Sequence, residues 1–387
     1  MQTGKAADPA LLLAHALFLT GRQLNQLLDA GMSVGEILDR IRMVDFLGKG
    51  ERLTALEADG FAARELEACR QQDIQLVSRW DDDYPALLKQ IPDPPVILYR
   101  RGTYHREDEN AVAVVGSRHP SLYGRDQALR MSHDLAASGL TIVSGLARGI
   151  DQQAHAGALT VSHGRTLAVL GCGLDRVYPK ENQMLFDRLV ERGAAWSEYP
   201  LGTPPLGRHF PQRNRIISGL SLGVLVVEAH RRSGSLITAR EALEQGREVF
   251  AIPGPINQMT SWGTNGLIKD GAYLIEEASD ILEVLGQSLA SRPNLRDASP
   301  PPAAAAVIPD ARTPAIEIST ADLPEAWQPI LASLKQGAQS TEELAFLHGQ
   351  SVKAMAHFLV EMEIQGRIHR QIDGQWRFVR RDVDSNL

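Results

Sequence analysis

AVAVVGSR (111–118), LTIVSGLARGID (140–151), TLAVLGCGLDRVYPKEN (166–182), GVLVVEAHRRSGSLITAR (223–240) and EVFAI (248–252) decide the fold of this 387-residue chain. Each opens on a short, continuous run of apolar, β-rich residues. Stretches of helical length and amphipathic pattern, such as 124–138 and 181–192, separate them. Strands that are apolar on both faces, alternating with helices, imply a parallel sheet covered on both sides. The segment from Ala111 to about Leu285 is therefore expected to be an α/β domain. In such sheets ligands bind outside the carboxyl ends of the strands. The residues that follow each run are thus the candidates for function.

Those residues are rich in Gly, Ser and Arg. Gly116, Ser117 and Arg118 follow the first run, and Ser144, Gly145, Arg148 and Gly149 the second. Gly171, Gly173, Tyr178, Lys180 and Asn182 follow the third. Ser233, Gly234, Ser235 and Thr238 open a helix after the fourth, and FPQRNR (210–215) adds Phe210, Arg213, Asn214 and Arg215. Backbone N–H groups leading into helices attract anions, and arginine offers phosphate a two-pronged fork. Together the segments predict a polyanion-binding rim. Tyr178 and Phe210 could each stack on a base or serve the core. Asp151 and Glu228 read first as helix-start caps or partners of a rim arginine, and otherwise as general bases or ribose contacts.

Several activities find no support. The GxGxxG and GxxxxGK[ST] patterns are absent, and GCGLDR breaks the first of them at Arg176. No HExxH pattern or His/Cys cluster suggests a metal, so neither metal nor cofactor is expected. The two cysteines, Cys69 and Cys172, form no CxxC pair, and a reducing cytoplasm is the expected location. No apolar run is long enough to cross a membrane, and the N-terminus makes a poor signal peptide. The net charge of −7 is unevenly spread: residues 111–260 carry a net +4 and the remainder −11. The positive charge therefore lies with the rim.

Outside the sheet the pattern changes. Residues 1–75 read as short helices punctuated by Gly31, Gly48 and Gly60. An entry segment with Pro92, Pro94 and Pro95 leads to an extended Val96–Leu98, placing 76–286 in the α/β domain. Residues 287–320, with SPPPAAAAV, read as a disordered linker. In 321–387, three helix candidates precede RIHRQIDGQWRFV, a hairpin with Asp373-Gly374 at its turn. That is a winged-helix pattern. Its Lys353, His357, Arg367, His369 and Arg370 are offset by Glu342, Glu343, Glu361 and Glu363, which favours protein–protein or intramolecular docking over duplex DNA.

VVGSRHPSLYG, SGLARGIDQQAHAGAL, GCGLDRVYPKEN, FPQRNRIISGLS, EAHRRSGSLITAREALEQGREVFAIPG and GTNGLIKDGA, in this order, resemble the signature blocks of the DprA/Smf family. The resemblance runs from about Tyr84 to Leu282. It implies a Rossmann-like domain that binds single-stranded DNA, often behind a sterile-alpha-motif-like helical domain. It further implies protection of incoming strands in natural transformation, loading of a RecA-type recombinase, dimerisation through the Rossmann-like domain, and no catalytic turnover. The family's DNA-contacting arginine falls on Arg118 and its lysine on Lys180. Where family members can carry an aromatic after that lysine, this chain has Gln183, with Phe186 beyond it. Two other readings remain open. SGSLITAREALEQG resembles the phosphate loop of nucleotide phosphoribohydrolases, with Glu228 as catalytic acid or base, although their PGGxGT sequence is absent. Alternatively, the rim could hold an acidic protein partner.

Overall fold

The computed structural model describes residues 7–18, 22–44 and 49–290, together with scattered positions of the C-terminal region. The chain divides into two compact units, 1–301 and 302–387.

Five helices open the first unit: α1 (Pro9–Leu17), α2 (Arg22–Asp29), α3 (Val34–Val44), α4 (Gly50–Ala58) and α5 (Phe61–Gln71). Asp8 caps α1 by accepting from the Ala10 amide at 2.9 Å, and Pro9 takes the first position, where no N–H is needed. Strands β1 (Ile74–Ser78) and β2 (Ile97–Gly102) follow, with the short α6 (Ala86–Lys89) between them. Alternation then sets in: β3 (Ala111–Val115), α7 (Leu122–Ala137), β4 (Thr141–Ser144), α8 (Ile150–Thr160), β5 (Thr166–Leu170), α9 (Gln183–Arg192) and β6 (Ala194–Ser197). The series closes with α10 (His209–Gly219), β7 (Gly223–Val226), α11 (Gly234–Glu244), β8 (Glu248–Ala251), α12 (Trp262–Lys269), β9 (Tyr273–Leu274) and α13 (Ala278–Ala290).

The nine strands form one sheet in the order β1-β2-β6-β5-β4-β3-β7-β8-β9. All neighbours from β6 to β9 are parallel, and β1 and β2 add antiparallel at one edge. The five apolar runs are β3, β4, β5, β7 and β8, as their composition predicts. β1, β6 and β9 were not expected from the sequence.

The chain winds outward from β3 through β4, β5 and β6. It then returns to lay β7 on the other side of β3, where Val112 pairs with both Ile142 and Gly223. The crevice at the carboxyl ends of β3 and β7 is therefore the topological switch point, the place where such sheets bind ligands.

Side-chain alternation along β3 fills both faces. Ala111, Ala113 and Val115 meet Ile216, Ile217, Ala239 and Ala242 from α10 and α11. Val112 and Val114 meet Met131, Leu135 and Ala154 from α7 and α8. The N-terminal helices join β2, β5 and α9 in a third cluster around Leu12, Leu24, Tyr99, Leu170 and Phe186. His15 in α1 ties this cluster to the sheet by donating Nε2–H to the Glu198 carbonyl at 2.8 Å.

In the C-terminal unit, β10 (Ile368–Arg370) pairs antiparallel with β11 (Trp376–Phe378), the two arms of the expected hairpin. Trp376 and Ile368 share a core with Ile330, Leu344, Met355, Phe358, Leu359 and Met362. The Asp373-Gly374 turn, residues 291–320 and most of the three helix candidates lie outside the described residues, whereas 287–290, expected to open the linker, are the last residues of α13.

Candidate nucleic-acid interface

At the switch point lies a cleft of about 610 Å³. Its first wall is the loop after β3. The Ser117 amide donates to the Glu228 carbonyl at 2.8 Å, and the Ile150 amide donates to the Ser117 carbonyl at 3.1 Å. The loop is thereby fastened to both neighbouring βα connections. Glycine is required for this closeness. A Cβ on Gly116 would lie 2.6 Å from Ile150 Cγ1. Gly149 has φ +80°, and a Cβ there would stand 2.4 Å from the Ser117 carbonyl oxygen.

The loop after β4 is held rigidly from within. Leu146 adopts φ +54°, unusual for a non-glycine residue. Its amide donates to His155 Nε2 at 3.3 Å, and its carbonyl accepts from Asn182 Nδ2 at 2.8 Å. Ser144 Oγ donates to the Val114 carbonyl at 2.6 Å. Asp151 accepts from the amides of Gly145 and Ala147 at 3.1 and 3.4 Å. Burial pushes the Asp151 carboxyl pKa up, and Arg213 opposes that shift. The same burial draws the Arg213 guanidinium down.

The segment FPQRNR is the first part of α10, not a loop, and this separates its two arginines. Arg213 is buried, and its guanidinium donates to the carbonyls of Gly145 (2.9 Å) and Val169. Arg215 faces the other flank of the helix, against Glu198 at 2.6 Å and Asp93 at 3.3 Å. Asn214 reaches α11, donating to the Gly234 carbonyl at 3.4 Å.

The far wall is the start of α11. Ser233 caps it by accepting from the Ser235 amide, and Thr238 lies beneath, fully buried. Across the mouth, the Arg118 guanidinium sits 5.2 Å over the Phe210 ring, and Phe210 lies 5.7 Å from Tyr178. A cation, a half-buried ring and an exposed ring thus stand in a row. Arg118 and Arg232, both exposed on the cleft, take part in no ion pair among the described residues. By contrast, the exposed Arg148 is paired with Glu181, which raises its pKa.

Of the residues named from sequence, Gly116, Ser117, Arg118, Asp151, Tyr178, Phe210, Arg213, Asn214, Ser233, Gly234, Ser235 and Thr238 line this cleft. Ser144, Gly145, Arg148, Gly149, Gly171, Gly173, Lys180, Asn182 and Arg215 are not on its wall. Gly171 supports it from below, where a Cβ would lie 3.2 Å from Phe210. Phe186 is fully buried in the core and takes no part.

Arg232 and His230 line the cleft but carry no separate motif in the sequence, although they lie one and three residues before the SGS helix start at Ser233. Pro205 and Gly207 carry no comparable sequence signal. Glu228 is committed elsewhere. Its carboxylate accepts from Ser121 N at 2.9 Å and Ser121 Oγ at 2.5 Å, and it packs where a Cβ on Gly124 would be.

A family model described as DNA recombination-mediator protein A matches residues 75–286. The chain belongs to this family. Protein Smf of Escherichia coli strain K12 is 43% identical over 299 residues, which cover 77% of this chain and 76% of that protein. The crystal structure of DNA processing protein A from Streptococcus pneumoniae superposes with a TM-score of 0.64 at 39% identity, covering 71% of this chain and 97% of that one. The DNA processing protein A of Helicobacter pylori, studied for its single-stranded DNA binding mode, matches with a TM-score of 0.50 at 30% identity, over 56% and 96% of the two chains. The matched span of the recombination-mediator family contains the whole nine-strand sheet apart from the first residue of β1. Among the described residues no helix is long and apolar enough to cross a membrane.

Proposed function

We propose that the switch-point cleft binds single-stranded DNA. The observation that carries the reading is the pair of unneutralised arginines, Arg118 and Arg232, on a cleft that also exposes the Phe210 and Tyr178 rings. Cations for phosphates beside aromatic faces for bases are the combination that single strands select. The likeness to the Helicobacter pylori protein supports the same ligand. Lys180, which forms no ion pair among the described residues, adds positive charge outside the cleft wall, whereas Arg148 is neutralised by Glu181.

Membership of a recombination-mediator family supports a role in delivering the strand to a RecA-type recombinase, during natural transformation, in the cytoplasm. In this proposal the α/β domain (76–286) also dimerises. The helical segment 1–75 and the winged helix 321–387, which follows α13 through residues 291–320, serve docking. The cleft acts by binding, without turnover. The engagement of Glu228 by Ser121 supports binding over nucleotide hydrolysis.

Fluorescence anisotropy of a labelled oligo-dT strand against a matched duplex, titrated with salt, tests this reading. Tight, salt-sensitive binding to the single strand is expected. Equal or absent binding to both, or release of free base from a nucleoside monophosphate that Glu228→Gln abolishes, would overturn it.

A further inference from the structure

On the flank of α10 opposite the cleft lies a second cavity of about 400 Å³. Asp93, Glu198, Arg215, Glu241, Glu244 and Gln245 stand on its wall. Four carboxylates thus share one guanidinium. Arg215 is already engaged by Glu198 and Asp93. Glu241 and Glu244 form no ion pair among the described residues. Both lie in the last turn of α11, which contains no basic residue. The negative end of a helix disfavours carboxylates there and favours a cation. Burial and the neighbouring Glu244 push the Glu241 carboxyl pKa up, as expected of an acid short of positive charge.

The deepest wall residue gives a second, independent indication. Glu198 is only 1% exposed, and its Oε2 has no hydrogen-bond partner. Gln245 Oε1 is also buried and unpartnered. A buried carboxylate oxygen left without a donor is costly, so it is a place prepared for one. The unmet buried groups are two acceptors, Glu198 Oε2 and Gln245 Oε1, and one donor, Arg215 Nη1. Glu241 and Glu244 lack a counter-ion among the described residues, so the ligand must supply donors and positive charge on the α11 side of the cavity. No group of three or more His, Cys, Asp or Glu among the described residues is arranged to hold a metal ion. An ammonium or guanidinium carries multiple N–H donors and no acceptor, and it needs no fixed coordination shell.

We infer that this cavity binds an organic cation, through an ammonium or guanidinium group seated between Glu198 and the carboxylates at the end of α11. The cation comes either as a free alkylamine or as a basic side chain of a peptide. The inference does not depend on the strand-binding reading of the cleft.

Calorimetry on the full chain, without DNA, tests it with four probes: diaminobutane, a lysine-containing peptide, the neutral isostere butanediol, and magnesium ion. Saturable binding of the diamine, the peptide or both is expected, with none of butanediol. A diamine-only result assigns the site to free amines, and a peptide-only result to a basic side chain. The double variant Glu241→Gln/Glu244→Gln, whose changes lie at the cavity mouth, should bind about tenfold more weakly or worse. It should retain wild-type melting and wild-type affinity for oligo-dT. Glu198→Gln should weaken binding in the same way, and if it fails to fold the double variant alone decides. Absence of saturable binding to either cation, equal binding of magnesium, or an unaffected double variant would overturn the inference, and none of these outcomes bears on the cleft.

Discussion

Replacing Arg118 with alanine separates binding from stability more cleanly than any other change in the cleft. The side chain is exposed, lies 5.2 Å over Phe210 and forms no ion pair among the described residues; the buried Asp151, whose charge it helps to favour, keeps Arg213 as its stronger cationic partner. Its removal therefore leaves no buried charge uncompensated. The folded state loses at most an exposed cation–π contact, about 0.5–1 kcal/mol. A charge-assisted hydrogen bond to phosphate contributes about 1.5–3 kcal/mol. At about 1.4 kcal/mol per decade, affinity for a single strand should fall about ten- to a hundred-fold. Loss of one phosphate contact should also shrink the log–log salt slope by about 0.7. The assay is anisotropy of labelled oligo-dT at several salt concentrations, with thermal melts of both proteins alongside. Arg213→Ala provides the contrast. Arg213 is buried, donates to two carbonyls and balances Asp151, so its loss leaves an uncompensated buried charge at a cost of about 3–5 kcal/mol in stability. If Arg118→Ala melts like wild type and binds within about twofold of it with the same salt slope, Arg118 touches no phosphate and the proposed strand path is wrong.

Three further outcomes follow from the same geometry. Gly149→Ala must place a Cβ 2.4 Å from the Ser117 carbonyl at a positive φ, so it should lower stability by about 1–3 kcal/mol in urea melts and weaken oligo-dT binding by shifting the Arg118 loop. Phe210→Leu keeps an apolar residue over Gly171 but removes the ring. Affinity should fall by the equivalent of about 1–3 kcal/mol while the salt slope stays constant, and a changed slope would show that the ring acts through charge instead. His155 is buried between Leu146 and Thr166, and burial draws its pKa down to about 3. The unfolded chain takes up that proton near pH 6.5 and the folded chain does not, so stability is full above pH 6.5 and declines as pH falls toward 3. By pH 4.5 the loss from this one group is about 2–3 kcal/mol. Burial raises the Asp151 and Glu198 carboxyls, which act in the opposite sense. His155→Gln isolates the histidine: it should flatten the decline between pH 6.5 and 4.5, and an unchanged profile would contradict the assignment.

The parallel sheet was legible because its inner strands are buried on both faces, so their apolar runs are continuous and short. β6 escaped notice because AAWS contains no β-branched residue and sits between Arg192-Gly193 and Glu198. β1 offers a mixed IQLVS pattern directly after a helix, and its partner β2 explains it only once the two are paired. FPQRNR misled for a different reason. Both of its arginines read as rim residues, whereas it forms the first turns of α10, where Pro211 is tolerated because the helix begins at His209. Successive residues of a helix turn by about 100°, so two residues apart means nearly opposite faces. With the helix assigned, one of Arg213 and Arg215 had to leave the cleft. Only the positions of Glu198 and Asp93 decide that it is Arg215.

The glycines present a harder ambiguity. A glycine that admits a ligand and one that admits another part of the chain look the same in sequence, because both report only that a Cβ has no room. Here the space at Gly116 is taken by Ile150, at Gly145 by Arg213, at Gly149 by Ser117 and at Gly173 by Asp175. These four glycines build the cleft by letting its loops close on one another. Gly234 differs, since a Cβ there would meet nothing within 4 Å, at the first turn of α11 and on the cleft wall. Its openness leaves the helix N-terminus accessible beside Arg232 and Asn214. The rim read from sequence thus contains two populations, one that shapes the loops and one that faces solvent at the cleft. Charge, ring faces and an uncovered helix start converge only in the second, so the chemistry proposed for the cleft depends on Arg118, Phe210, Arg232 and Gly234 more than on the number of glycines around it.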